Sequence, residues 1–62
     1  MTPEEFVKYC KDRAMEIHPN VDKMYISLIS DLNDNRDQPS WAVSDLMKWL
    51  ADVIHEIDSS KA

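Results

Sequence analysis

The chain contains no glycine in its 62 residues. Glycine is the residue that adopts left-handed backbone angles without steric cost. Its absence argues against a glycine-rich phosphate-binding loop, a nucleophile elbow and a tight two-residue hairpin, all of which depend on it. The missing residue therefore excludes several common enzyme sites and favours an architecture built from helices.

Cysteine and long apolar runs are equally scarce. Cys10 is the only cysteine, so the chain cannot form an internal disulfide. Uninterrupted apolar stretches reach only three residues, whereas a transmembrane helix needs about 20. Charged residues from Glu4 to Asp12 interrupt the amino-terminal segment, which argues against a signal peptide. We therefore expect one cytoplasmic domain, residues 1–62, that does not associate with a membrane.

Positive charge is also low. Twelve Asp and Glu stand against seven Lys and Arg, which gives a formal net charge of −5. Proteins that bind nucleic acid draw much of their affinity from Lys and Arg that neutralise phosphates. Between residues 24 and 60 the only such bases are Arg36 and Lys48, too few for a helix-turn-helix that enters the major groove. We do not expect direct nucleic-acid binding.

Apolar residues recur at steps of three and four along nearly the whole chain, which is the period of an α-helix. The first helix has a clear start, because Thr2 and Glu5 form a capping box around Pro3 at the first helical position. The pattern predicts an all-α fold, a small bundle of three helices at about residues 3–18, 19–32 and 40–58. The polar segment 33–38 is long enough to reverse the chain between the last two.

Pro19 leaves two arrangements open, because it lacks an N–H group and biases His18 away from helical angles. In the favoured arrangement, a turn at His18–Asn20 separates two helices and Pro19 begins the second. In the other, the first two helices are one long helix with a kink. At the far end of the second helix, Asn33 is the best available residue to terminate it in the left-handed conformation.

Each predicted helix has a stripe of apolar residues that we expect to be buried. In the first helix the stripe comprises Phe6, Val7, Cys10, Ala14 and Ile17. In the third it comprises Val43, Leu46, Met47, Leu50, Val53, Ile54 and Ile57, flanked by Trp49. In the second the apolar arc comprises Val21, Met24, Tyr25, Ile26, Leu28, Ile29 and Leu32, with Ile26 at its flank. An arc this wide indicates a helix contacted from two sides, and the residues expected on its wet side are Asp22, Lys23, Ser27, Ser30 and Asp31.

No catalytic or metal-binding constellation is evident. Cys10 lies within an apolar stripe and is expected to behave as a small buried residue rather than a nucleophile. Asp52 and His55 form an isolated pair three residues apart, whereas metal sites in helical bundles need three or four converging ligands. We therefore expect no enzymatic activity, no cofactor and no metal.

Several apolar residues lie away from the predicted stripes and are candidates for contact with a partner. Trp41 has Ser44, Asp45 and Lys48 as its helical neighbours, so it is expected to point to solvent. Tyr and Trp are enriched at protein interfaces. The residues predicted for such an interface are Trp41, Tyr9, Met15 and Ile26.

An acidic face on the third helix supports an alternative. Asp45, Asp52 and Glu56 span about 16 Å at the helical rise of 1.5 Å per residue. A protein that mimics the nucleic-acid backbone would use such a row to occupy a basic groove. The spacing is about one charge per 5 Å, sparse beside the roughly 1.7 Å per charge of duplex DNA. Lys48 also interrupts the row.

The leading functional hypothesis is a small helical module for protein–protein interaction. A chain this short buries only about 60% of its unfolded surface, and small scaffolds commonly need a disulfide, a metal or a second subunit. Since this chain has a generous apolar surface and no internal disulfide, we expect it to form a homodimer and to bind a regulatory protein partner.

The overall profile is very short, acidic, helical and free of glycine. In these respects the chain resembles the small accessory proteins that lambda-type bacteriophages express early to modulate their hosts. The resemblance rests on size and composition over the whole chain and carries no motif and no site residue. It implies action by binding a host or phage regulatory protein.

Overall fold

The structure, a computed structural model, describes residues 1–60 and is built from three α-helices. These are α1 (Pro3–Met15), α2 (Val21–Asp34) and α3 (Ser40–Ser60), and the described residues contain no strand. Helix α1 packs against both other helices, most extensively against α2, whereas α2 and α3 touch only slightly. The prediction of a small all-α bundle of three helices is confirmed.

Contacts between the helices give their directions. Lys11 lies beside Asp45, and His18 lies beside Ile57, so α1 and α3 run in parallel. Arg13 contacts Asp31 on the neighbouring helix α2, and a short turn joins the end of α1 to the start of α2. The chain therefore runs up, down and up again. None of these helices, within residues 1–60, is both long and apolar enough to cross a lipid bilayer.

The start of α1 follows the predicted capping box. The Thr2 hydroxyl accepts a hydrogen bond from the Glu5 backbone N–H at 3.2 Å, and the Glu5 carboxylate accepts one from the Thr2 N–H at 3.4 Å. Pro3 occupies the beginning of the helix, where a missing N–H has no intrahelical partner to lose. These two bonds satisfy backbone donors that a helix amino terminus otherwise leaves free.

The turn between α1 and α2 is placed differently from the prediction. Helix α1 ends at Met15, and the N–H groups of Ile17 and His18 bond three residues back instead of four, to Ala14 and Met15. Pro19 cannot donate to Met15, so a proline here ends the regular helix early. Pro19, which follows a cis peptide bond, lies in the turn and does not begin α2. The kinked-helix alternative is wrong.

Asn20 is the residue that starts α2. It has extended backbone angles, and its side-chain oxygen accepts a hydrogen bond from the Lys23 N–H at 3.1 Å. Asn is among the best residues at this capping position. The helix therefore begins at Val21, two residues later than predicted.

The second break also departs from the prediction in detail. No residue within 1–60 has a positive φ angle, so Asn33 does not terminate α2 in the left-handed conformation. The helix continues to Asp34, and Asn35 ends it with its side-chain amide donating to the Asp31 carbonyl at 3.0 Å. That bond satisfies a carbonyl that the helix end would otherwise leave free.

Helix α3 extends two residues further than predicted. It begins at Ser40 and continues to Ser60 rather than to Asp58. The Ser60 hydroxyl donates to the Glu56 carbonyl at 3.0 Å, and this bond occupies a carbonyl of the last turn. A chain end such as residues 59–62 is expected to fray. Ser59 and Ser60 are instead helical, and residues 61–62 lie outside the described residues.

The stripes of α1 and α3 form the core largely as predicted. Helix α2, however, turns a different side to the core than the one predicted. Ser27 and Asp31, expected on the wet side, are only 8% and 4% exposed. The reason is geometric, because Met24 and Leu28 face the core and the intervals of three, four and seven residues place Ser27 and Asp31 on their face. The buried apolar core is Phe6, Val7, Cys10, Ala14, Met24, Leu28, Ala42, Leu46, Leu50 and Ile57, with Trp49 packed at its edge.

The cap of α2 gives a first prediction. Asn20→Ala removes the acceptor of the Lys23 N–H and should lower the free energy of unfolding by about 1 kcal/mol, measured by urea denaturation. Asn33→Ala is the matched control, since Asn33 is exposed and helical, and it should change stability by less than about 0.5 kcal/mol. A neutral or stabilising Asn20→Ala would instead place the helix start at Pro19.

Candidate protein-binding surface

Three exposed apolar side chains adjoin one another on α2. Tyr25 is 50% exposed, Ile26 is 65% exposed and Ile29 is 39% exposed. We call these three residues the α2 outer face. The two isoleucines lie on a line with Asp22 and Asn33 at helical intervals of four, three and four residues, opposite the side that carries Met24 and Leu28. Clustered exposed apolar residues with a polar rim are typical of interaction sites, whereas scattered single ones are not.

Two shallow depressions border the α2 outer face. One lies between α2 and α3 and is lined by Val21, Asp22, Tyr25, Ile26 and Ile54. The other follows α2 towards its carboxyl end and is lined by Tyr25, Ile26, Ile29, Ser30 and Asn33. The first exists because α2 and α3 hardly touch. Both have apolar walls and polar rims, which suits the apolar side chains of another polypeptide.

The inner side of α2 carries the polar groups that the outer face lacks. A carboxylate oxygen of Asp31 lies 3.1 Å from an Arg13 guanidinium nitrogen, and the same nitrogen donates to the Tyr9 hydroxyl at 2.8 Å. The Ser27 hydroxyl and the second carboxylate oxygen of Asp31 are buried without a hydrogen-bond partner. We call Ser27 and Asp31 the polar seam between α1 and α2.

The polar seam weakens the packing of α2 in the single chain. A buried polar group without a partner costs roughly 1–3 kcal/mol. Burial raises the pKa of the Asp31 carboxyl above its ordinary value, against the lowering effect of the Arg13 guanidinium. Helix α2 thus places two under-satisfied polar side chains beside Met24 and Leu28 on its inner side and three apolar side chains in solvent.

Cys10 adjoins the polar seam and is 1% exposed, as predicted. Burial and the neighbouring negative charge of Asp31 raise the pKa of the Cys10 thiol to about 11. The thiolate is the reactive form of cysteine. A buried thiol that remains protonated at neutral pH is a packing residue and a poor nucleophile.

The four residues predicted for a partner interface lie on all three helices. Tyr9 and Met15 are on α1, Ile26 is on α2 and Trp41 is in the first turn of α3, and all four are exposed. Tyr9 is held by Arg13, whose guanidinium lies 5.6 Å from the ring centre. Tyr9 lines a depression on α1, separate from those beside Ile26.

Only Ile26 of the predicted set belongs to the α2 outer face. Tyr25 and Ile29 were expected in the buried stripe, and sequence reasoning therefore missed them as surface residues. The available signal was the width of the apolar arc, which exceeds what one interface can cover. Periodicity does not tell which part of such an arc faces the core.

The acidic residues of α3 occupy a different side of the bundle. Asp45, Asp52 and Glu56 are all exposed. A carboxylate oxygen of Asp45 lies 3.7 Å from the Lys11 ammonium, which places this row towards α1. Ile54 instead borders α2. The acidic row and the α2 outer face are therefore distinct surfaces, and one of the three acids is partly neutralised.

Metal-ligating side chains do not gather in the described part of the chain. Among residues 1–60, no group of three or more His, Cys, Asp or Glu is arranged to hold a metal ion. His18 and Glu56 line one depression together with Ser60, but this pair lacks a third ligand of that kind. Asp52 and His55 are both exposed on α3.

The polar seam gives a second prediction. Ser27→Ala removes a buried hydroxyl without a partner and should raise the free energy of unfolding by about 1 kcal/mol. Ser30→Ala on the same helix is exposed and should raise it only through helix propensity, by no more than about 0.5 kcal/mol. Urea denaturation of both variants measures the difference, and an equal gain from the two would contradict an unsatisfied Ser27.

A third prediction concerns the pH dependence of stability. Because burial holds the pKa of Asp31 above its ordinary value of 3.8, the folded state binds that proton more tightly than the unfolded state. Protonation therefore stabilises the fold, and ionisation towards neutral pH weakens it. Asp31→Asn removes this titration, so the wild type should gain stability relative to the variant as pH falls from 7 towards 4.

The same denaturation series in Ser27→Ala serves as the control for that prediction, since it removes no titratable group. Its stability relative to the wild type should stay constant over this pH range. A wild type that loses stability relative to Asp31→Asn on acidification would show that the Arg13 ion pair outweighs burial.

No family model, no curated protein and no solved structure matches this chain.

Proposed function

We propose that this protein is a small helical protein–protein interaction module whose α2 outer face binds a regulatory protein partner. The observation that carries the proposal is the orientation of α2, which turns Tyr25, Ile26 and Ile29 to solvent and buries Ser27 and Asp31. Covering the outer face would add apolar burial at about 25 cal/mol per Å². When that partner is absent, the same face would bind a second copy of the chain and form a homodimer, so the partner and the second copy would compete for it.

The chemistry of the surface indicates the kind of partner. Tyr25 and Ile26 line both depressions, so an inserted side chain contacts them in either one. A partner segment with apolar side chains at helical spacing, such as one face of an amphipathic helix, fits two neighbouring shallow grooves. The resemblance to early phage accessory proteins is consistent with a regulatory protein as that partner.

The acidic row supplies a second candidate function, a decoy that blocks a nucleic-acid-binding protein. Asp52 and Glu56 are exposed on the side of α3 away from the α2 outer face. Asp45 contributes less, because its ion pair with Lys11 offsets its charge. Binding by this row would be sensitive to salt, since exposed charges are screened over about 8 Å at physiological ionic strength.

A fourth prediction tests which surface binds. Immobilised protein captures partners from an extract of the source cell, and a captured partner is then purified and its affinity measured by calorimetry. Ile26→Asp places a charge in the centre of the α2 outer face and should weaken binding at least tenfold, in the range of interface hot spots. Ser44→Asp adds the same charge at an exposed position of α3 and should leave affinity within about twofold.

Two further variants separate the alternatives. The double reversal Asp52→Lys/Glu56→Lys should leave binding unchanged if the α2 outer face is the site, and should abolish it if the protein is an acidic decoy. Trp41→Ala shows whether the first turn of α3 contributes to the interface. The proposal fails if Ile26→Asp and Ser44→Asp bind the purified partner equally well.

A further inference from the structure

We infer that the α2 outer face pairs with the same face of a second copy of this chain, with the two α2 helices antiparallel across a two-fold axis. This inference rests on the proposed function, because it requires the α2 outer face to be a binding surface. It specifies the occupant, the direction of the helices and the charged contacts at the rim.

Apolar matching is the first argument for self-pairing. Asp22, Ile26, Ile29 and Asn33 form a line along the exposed side of α2 at intervals of four, three and four residues. A two-fold axis midway between Ile26 and Ile29 places Ile26 of each copy opposite Ile29 of the other. The same operation places Asp22 opposite Asn33 of the other copy, where the amide can donate to the carboxylate. The interface is isologous, as in most homodimers.

Charge complementarity is the second argument. Lys23 and Asp34 lie on one flank of this line, near opposite ends of α2, and neither forms an ion pair within residues 1–60. A two-fold axis perpendicular to both helices leaves this flank on the same side of the pair in both copies. The two flanks then run in opposite directions. Lys23 of each copy therefore meets Asp34 of the other. The midpoint between Lys23 and Asp34 lies one residue from that between Ile26 and Ile29, so Lys23 and the facing Asp34 are offset by two residues, about 3 Å along the helix axis. A lysine side chain spans that distance.

A parallel arrangement lacks these contacts. It would set Asp22 beside Asp22 and bring the like ends of both helix dipoles together, and both effects are unfavourable. The acidic row of α3 faces α1, so its charge is directed away from the pair. The net charge of −5 per chain therefore opposes association mainly at long range, where salt screens it.

The area required for a stable dimer identifies the flanking residues. A standard interface buries about 800 Å² on each partner, a little under a fifth of the 4343 Å² accessible surface of this chain. One helix face of three residues is smaller than that. The groove formed by Val21 and Ile54 beside Tyr25 must therefore take part, with α2 of one copy lying partly against α3 of the other.

A fifth prediction is the oligomeric state and its response to charge exchange, followed by sedimentation over a dilution series at physiological ionic strength, where repulsion between the chains is screened. The wild type should reach twice its chain mass of 7.2 kDa, and Ile26→Asp should remain at the chain mass. Lys23→Asp alone and Asp34→Lys alone should each raise the dimer dissociation constant about tenfold, since every contact occurs twice. The double variant Lys23→Asp/Asp34→Lys should restore it to within about twofold of the wild type.

The substitutions at positions 23 and 34 should leave the fold intact. Aspartate at position 23 and lysine at position 34 both suit the dipole at their ends of α2, so circular dichroism should show undiminished helicity. The antiparallel pairing would be overturned if Ile26→Asp still formed the dimer. It would also be overturned if the double variant did not restore the dissociation constant raised by the single variants. A wild type that stays at the chain mass throughout would also overturn it. The proposed function would survive that last result if the Ile26→Asp variant still lost its purified partner.

Discussion

The burial of Met24 and Leu28 in the core is the constraint on which the rest of the structure depends. These two side chains are fully buried, and α1 supplies most of the surface against which α2 packs. A helix is a rigid cylinder, so fixing two positions on it fixes the direction of every other side chain. Ser27 and Asp31 follow inward and Ile26 follows outward as a matter of geometry.

This orientation of α2 places a hydroxyl and a carboxylate in the packed interior and apolar side chains in solvent. The Asp31 carboxylate is held between α1 and α2 by one guanidinium, which itself reaches to solvent. Buried ion pairs seldom add stability, because the loss of hydration offsets the attraction. The opposite rotation of α2 would return Asp31 to solvent and break its contact with Arg13. The burial of Met24 and Leu28 therefore fixes this orientation, and the Arg13 contact offsets part of the cost of burying Asp31.

How much the sequence could predict depended on how local the signal was. The start of α1 was predictable because Thr2, Pro3 and Glu5 interact within one turn. The buried stripes of α1 and α3 were predictable because their apolar arcs are narrow enough to have one inward direction. The start of α2 was missed because Pro19 and Asn20 are both good starting residues, and the Asn20 cap prevailed.

The exposure of the α2 outer face could not be predicted from the local sequence pattern, for a different physical reason. Apolar residues cover so much of α2 that several rotations bury a similar area, and periodicity does not distinguish them. The choice was made by Phe6, Cys10 and the other core residues on α1 and α3, which are distant in sequence. The pattern places Ile26 beside the stripe and Tyr25 and Ile29 within it.

The positions of the two tryptophans have a practical consequence. Trp49 packs at the edge of the core, 5.9 Å from the Lys11 ammonium, and Trp41 is exposed in the first turn of α3. Both indoles are therefore on one helix, and neither belongs to the α2 outer face, where Tyr25 is the aromatic residue. Indole emission in this molecule therefore reports on the edge of the core through Trp49 and on the start of α3 through Trp41, whereas the only aromatic probe of the α2 outer face is the phenol of Tyr25.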